Sequence, residues 1–159
     1  KKADQLRQAL NELYDNNDYK KYVINYLLIN FHTRNKDLDL TLVSSRKYLN
    51  DSENYLLVRK HKVEFIRNDY KTAHIYNAKE YTITDKKFIY AVRQLGLEKL
   101  LHTENIGQEI KNLTIDKLTE SEVNKIMMYS LSANDIEHIS QSRGTSLQTL
   151  MDSYNPNRK

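Results

Sequence analysis

The hydrophobic period changes twice along this chain, and that change limits its fold more than any other feature. Leu6, Leu10, Leu13 and Tyr14 share one face of an amphipathic helix over Ala3–Asp15. Asp15-Asn16-Asn17 breaks it, and Asp18 stands at the cap position of a second helix that runs to about Phe31. This second helix is apolar around most of its circumference and belongs in the core. From Asp37 to Thr84 the period becomes that of strands. Leu38, Leu40 and Leu42 alternate, Tyr55–Val58 is a short apolar strand, Val63, Phe65 and Ile66 mark a second, and Tyr81 and Ile83 a third. After Asp85 the helical period returns. Phe88, Ile89, Val92 and Leu95 form a stripe that stops near Gly96, and Ile106, Ile110 and Leu113 form the next. Thr119 with Glu122 is a capping box that opens a helix through Val123, Ile126, Met127 and Leu131. Ser132 or Asn134 caps a further helix, Arg143-Gly144-Thr145 interrupts it, and Leu147, Leu150 and Met151 make a last short one before Asn155-Pro156. The sequence predicts an α+β chain, mostly helical, around a small three-stranded antiparallel sheet.

Composition narrows the function classes. A chain of 159 residues points to one domain, and 39% hydrophobic residues with only three Gly and one Pro describe a folded chain. The absence of Cys excludes a disulfide scaffold and a thiolate metal site, and fits a reducing, intracellular compartment. The longest apolar run, Tyr26–Ile29, ends at Asn30, far short of the ~20 residues that span a bilayer, so no membrane partner is expected. Lys1-Lys2 leads directly into a polar helical pattern rather than a signal peptide. The 25 Lys and Arg against 21 Asp and Glu leave a net charge of +4, a mild bias that permits a polyanionic partner. Twelve Tyr against three Phe and no Trp, with many Asn and Lys, also fits an AT-rich genome. His32, His61, His74, His102 and His138 show no ligand spacing. No metal, Gly-rich phosphate loop or small-molecule cofactor is expected.

Three short segments gain meaning only together. They are Arg34-Asn35-Lys36-Asp37-Leu38 after the core helix, Asp69-Tyr70-Lys71-Thr72 at a hairpin, and Tyr154 following Arg143-Gly144-Thr145. Singly they read as a helix-terminal ion pair, a solvated turn and a packed aromatic. In order, they resemble the catalytic domain of tyrosine recombinases, the phage-integrase family. That resemblance covers nearly all of residues 1–159. It extends more faintly to integrase-like proteins of large DNA viruses of algae and protists, which would place the chain in the cytoplasm or a host nucleus. The family's N-terminal DNA-clamping domain has no counterpart in these residues.

The resemblance implies site-specific cleavage and rejoining of DNA strands. Arg34 would clamp the scissile phosphate and Asp37 would hold Arg34 in place. Lys71, on the turn before the last strand, would protonate the leaving 5′-oxygen, and Tyr154 would be the nucleophile. Thr72 and Lys79 would touch DNA. The implied partners are double-stranded DNA and further copies of the chain assembled on it. The sequence also departs from the family. At the family's spacing before Tyr154, the second clamping arginine falls on Glu122, the histidine of its motif on Thr119, and a further His or Trp position on Thr145. Lys125, one helical turn on, and Arg143 are the candidates to replace that arginine. Two other readings therefore stay open: a degenerate relative that binds DNA or protein without cleaving, and an unrelated α+β structural protein.

Overall fold

The computed structural model describes residues 2–31, 33–68 and 79–129. Helix α1 (Lys2–Asp15) and helix α2 (Tyr19–Phe31) come first, then strands β1 (Leu40–Val43), β2 (Asn54–Val58), β3 (Val63–Arg67) and β4 (Lys79–Ile83). Helices α3 (Lys86–Arg93), α4 (Ile106–Leu113) and α5 (Glu120–Tyr129) follow. The α1–α2 turn places Asn17 at φ 62°, a left-handed conformation that Asn tolerates. Asp85 caps α3, its Oδ1 accepting from the backbone N–H groups of Lys87 (3.0 Å) and Phe88 (3.4 Å). Gly96, at φ +83°, turns the chain away after α3 at little steric cost. The expected helices after Ser132 lie outside the described residues.

Helix α2 is the hub. Its Val23, Ile24, Leu27 and Leu28 are fully buried, and it packs on α1, α3, α4 and α5. Leu40, Leu56, Phe65, Phe88 and Ile110 complete the same core. Asn25 is the polar exception on α2, and every polar atom of its amide is used. Its Nδ2 donates to the carbonyls of Lys21 (2.7 Å) and Leu113 (2.9 Å), and its Oδ1 accepts from the Ile115 N–H (3.0 Å). A buried amide satisfied in this way pins the end of α4 to α2.

The α+β class agrees with the sequence reading, but the sheet differs from it. There are four strands in the order β1-β2-β3-β4, and the sheet is mixed. β1 runs parallel to β2, with Leu40 opposite Asn54 and Val43 opposite Leu57, while β2–β3 and β3–β4 are antiparallel. The alternating Leu40 and Leu42 thus belong to a strand, whereas Leu38 lies in the short 3-10 turn before it. Residues 44–53 carry the chain back across the outer face, so β2 enters beside β1 in the same direction. That outer face is apolar too: Val43, Tyr55, Leu57 and Ile66 form a second small core with Leu49 of the crossover. The continuous apolar run in β2 follows from burial on both faces. The far edge of β1 is covered by residues 98–100, with Leu42 N–H donating to the Glu98 carbonyl (2.9 Å) and Leu100 N–H to the Leu40 carbonyl (2.8 Å). Among the described residues no helix is long and apolar enough to cross a membrane.

Glu109 holds the segment between β1's edge partner and α4. Its carboxylate accepts from the N–H groups of His102 (2.9 Å) and Thr103 (2.8 Å) and from Thr103 Oγ1 (2.9 Å), and pairs with Lys20 Nζ at 3.5 Å. Burial alone would raise this carboxyl; the donated hydrogen bonds and Lys20 outweigh it and hold it below its ordinary value. A depressed folded-state value means stability that is present above the unfolded value of about 4.3 and lost as pH falls through the folded one. Glu109→Gln should cost about 1–3 kcal/mol at neutral pH, and the gap to wild type should close below about pH 4. Urea unfolding midpoints of both proteins across that range measure it, and a gap independent of pH would refute it.

Candidate functional site

Arg34 follows α2 and opens a short 3-10 turn over Asn35–Leu38. A turn of this kind leaves its first N–H groups without helical partners, and the acidic residue three positions on supplies one. The Arg34 N–H donates to Asp37 Oδ2 at 3.0 Å, and Arg34 Nε lies 4.0 Å from the same oxygen. Asp37 is fully buried, whereas the Arg34 side chain keeps 22% of its surface exposed. The Arg34 side chain is therefore partly exposed, with its Nε lying beside the buried carboxylate.

Three other elements hold this turn. Asn124 of α5 donates from Nδ2 to the Thr33 carbonyl (3.0 Å), just before Arg34. Asn54, at the start of β2, donates from Nδ2 to the Lys36 carbonyl (3.1 Å). The third is Arg67, the last residue of β3. Its side chain is wholly buried, and its Nη1 lies 3.5 Å from Asp37 Oδ2. Its Nη2 donates to the Tyr81 hydroxyl at 3.4 Å, and its Cζ stands 5.3 Å from the Tyr81 ring centre and 5.5 Å from that of Phe65. A buried guanidinium needs both an anion and a surface that accepts its faces, and here it has a carboxylate and two aromatic rings.

Sequence reasoning missed Arg67, although its signal was present. Val63 and Phe65 are inward residues of β3, and the two-residue period places Arg67 on the same face. A charged residue at inward parity demands a buried counter-charge, and the only acid already singled out nearby was Asp37. Asn54 and Asn124 carried no such signal; each shows its role only through the carbonyl it reaches.

The remaining sequence-derived residues fall as follows. Lys79 begins β4 and is the register partner of Arg67, so it stands at the same end of the sheet as Arg34. Lys71 and Thr72 fall in the sequence between the end of β3 at Arg67 and the start of β4 at Lys79. Residues 69–78 themselves lie outside the described residues, as do Arg143, Thr145 and Tyr154. Lys125 is exposed on α5, next to Asn124. Glu122 is a capping residue: its Oε1 accepts from Thr119 N–H (3.0 Å) and Thr119 Oγ1 (2.9 Å), and its own N–H donates to Thr119 Oγ1 (3.1 Å). The Thr119 hydrogen bonds hold its carboxyl below the usual range, so it is an anion at neutral pH. No group of three or more His, Cys, Asp or Glu converges as metal ligands among the described residues.

Comparison with protein-family models, with curated proteins and with solved structures gives no match to this chain.

Asp37→Asn would leave Arg67 buried beside a neutral amide, and should cost about 3–5 kcal/mol. Adding Arg67→Met removes the stranded charge, so the double variant should recover part of that loss rather than add to it. Urea unfolding of the two single variants and the double variant measures the coupling. Additive losses would mean that the two side chains do not depend on one another.

Proposed function

We propose that this chain cleaves and rejoins strands of duplex DNA through a 3′-phosphotyrosyl intermediate. The observation that carries the reading is the Arg34–Asp37 pair: an arginine beside a fully buried carboxylate, which Arg67 ties to the end of β3. A fixed guanidinium fork is what a phosphate clamp requires, because it meets the charge that builds on the phosphate oxygens without having to reorganise.

In the reaction, the Tyr154 hydroxyl gives up its proton to solvent water as its oxygen attacks the scissile phosphorus, and the bond to the 5′-oxygen breaks. Lys71 gives a proton to that oxygen as it leaves. The phosphotyrosyl bond keeps the energy of the broken one, so attack by a 5′-hydroxyl restores the strand and frees the tyrosine with no nucleotide consumed. Arg34 binds the non-bridging oxygens, with Lys125 or Arg143 as the second cation. Thr72 and Lys79 contact the backbone nearby. Exchange between two duplexes calls for several copies of the chain on the DNA.

One observation favours a second reading, a relative that binds DNA but does not cut it. Glu122 stands where the family's second arginine would fall, and its hydrogen bonds keep it ionised. An anion beside a scissile phosphate opposes the reaction, even where solvent weakens the repulsion.

A nicked duplex that traps the covalent intermediate separates the two. The wild-type chain should form an adduct whose peptide maps to Tyr154, and Tyr154→Phe should bind equally well and form none. Tyr19, Tyr22 and Tyr26 make an informative contrast. Burial first, with neighbouring tyrosines or Asp85 adding to it, raises all three phenols, that of Tyr26 to about 12. An adduct on one of these, or none at saturating DNA, would leave only the non-cleaving reading. Lys71→Ala should slow cleavage by about 10²–10⁴-fold on ordinary DNA. The loss should be far smaller when sulfur replaces the leaving oxygen, since a thiolate leaves without a proton. Equal losses on both substrates would remove Lys71 from the acid role.

A further inference from the structure

The hairpin that joins β2 to β3 is built from Arg59, Lys60, His61 and Lys62, and all four residues are exposed. The turn is closed by the Arg59 N–H donating to the Lys62 carbonyl at 2.9 Å. Arg93, in the last turn of α3, donates from Nη1 to the Arg59 carbonyl at 3.5 Å, and so brings a fourth cation beside the turn. Arg59 Nη1 donates to the Ser44 carbonyl at 3.2 Å, which fixes the guanidinium against backbone rather than against an acid.

Several other basic residues have an acidic partner that these cations lack. Arg46 is shared by Glu64 and Glu80 at 3.0 Å each, Lys20 pairs with Glu109, Lys99 with Asp39 and Arg67 with Asp37. Among the described residues no carboxylate lies within ion-pair distance of Arg59, Lys60, Lys62 or Arg93. Four like charges gathered at one turn without a counter-charge repel one another, and a polyanion relieves that repulsion when it displaces the loosely held salt ions.

We propose that this hairpin, with Arg93, is a second contact for the phosphate backbone of duplex DNA. The proposal rests on the reading of the Arg34 end as a phosphate clamp. β3 connects the two places directly, with the hairpin entering at Val63 and the buried Arg67 closing the strand at the other end. The strand thus holds a charge-dense, sequence-blind contact at one end and, through Arg67 and Asp37, the Arg34 turn at the other. A contact of this type orients the duplex and carries no base specificity.

The test is salt-dependent binding to a short fluorescein-labelled duplex of arbitrary sequence, followed by anisotropy from about 50 to 200 mM NaCl. Lys60→Gln/Lys62→Gln should lower the log–log salt slope by about two and weaken binding at the low-salt end by about tenfold or more. Arg46→Gln, which removes an arginine already neutralised by two glutamates, should leave the slope unchanged. A double variant with wild-type slope and affinity, and an unchanged circular dichroism spectrum, would overturn the proposal while leaving the clamp reading in place. So would polyglutamate that displaces the duplex at equal charge and is itself weakened by the same substitutions, since the patch would then be a general polyanion surface. A slope lost in the variant, from a wild-type chain that binds DNA but forms no tyrosyl adduct, would uphold this contact and overturn cleavage alone. A wild-type chain with no affinity for duplex DNA would overturn both.

Discussion

A carboxylate taken fully out of water needs cations and donors around it, and Asp37 has a backbone N–H and two arginines. Each of these contacts fixes a different part of the molecule. The backbone bond shapes the turn after α2, the contact with Arg34 sets the direction of a side chain that reaches the surface, and the contact with Arg67 ties the turn to the end of β3. Removing the carboxylate would therefore loosen a helix end, a strand end and a surface arginine together. A buried ion pair seldom adds much net stability relative to apolar packing, because desolvation offsets the attraction. Its contribution here is geometric: it allows one arrangement of the Arg34 turn and penalises others.

Three aromatic residues make that arrangement affordable. Phe31, Phe65 and Tyr81 pack against one another with ring centres 5.3–6.4 Å apart, and the Arg67 guanidinium lies over two of these rings. Their electron-rich faces and the Tyr81 hydroxyl stand in for part of the water that Arg67 gives up. Much of the tyrosine enrichment has a similarly structural explanation. Tyr14, Tyr19, Tyr22, Tyr26 and Tyr90 form a separate chain of ring contacts that joins α1, α2 and α3.

Periodicity made the order of elements legible. The amphipathic face of Leu6 and Leu10, the apolar surround of α2, and the Thr119–Glu122 capping box each describe a local property, and each is found where the sequence places it. The sheet was harder because direction is not local. Leu40 and Leu42 advertise a strand, but whether that strand runs parallel to β2 depends on how residues 44–53 travel, and their polar Ser, Asn and Asp residues suit many paths. At the candidate site, the three-residue spacing of Arg34 and Asp37 was readable because the turn itself brings them together. The third member, Arg67, arrives from thirty residues away, and only its inward parity on β3 hinted at it.

The order β1-β2-β3-β4 repeats the order of the chain, so each pairing in the sheet closes a comparatively short loop. Two pins that join the C-terminal helices to α2 and the residue after it are of another kind: Asn124 meets Thr33, and Asn25 meets Ile115, across about ninety residues. Because the entropy of closing a loop must be met before its contacts return anything, short-range pairings lead and these long ones follow. The sheet can thus assemble as a unit before α4 and α5 dock against α2. On this account the loop carrying Arg34 is first held to the sheet through Asn54 and Arg67, and its remaining pin, Asn124, closes only as α5 docks and opens as α5 comes away.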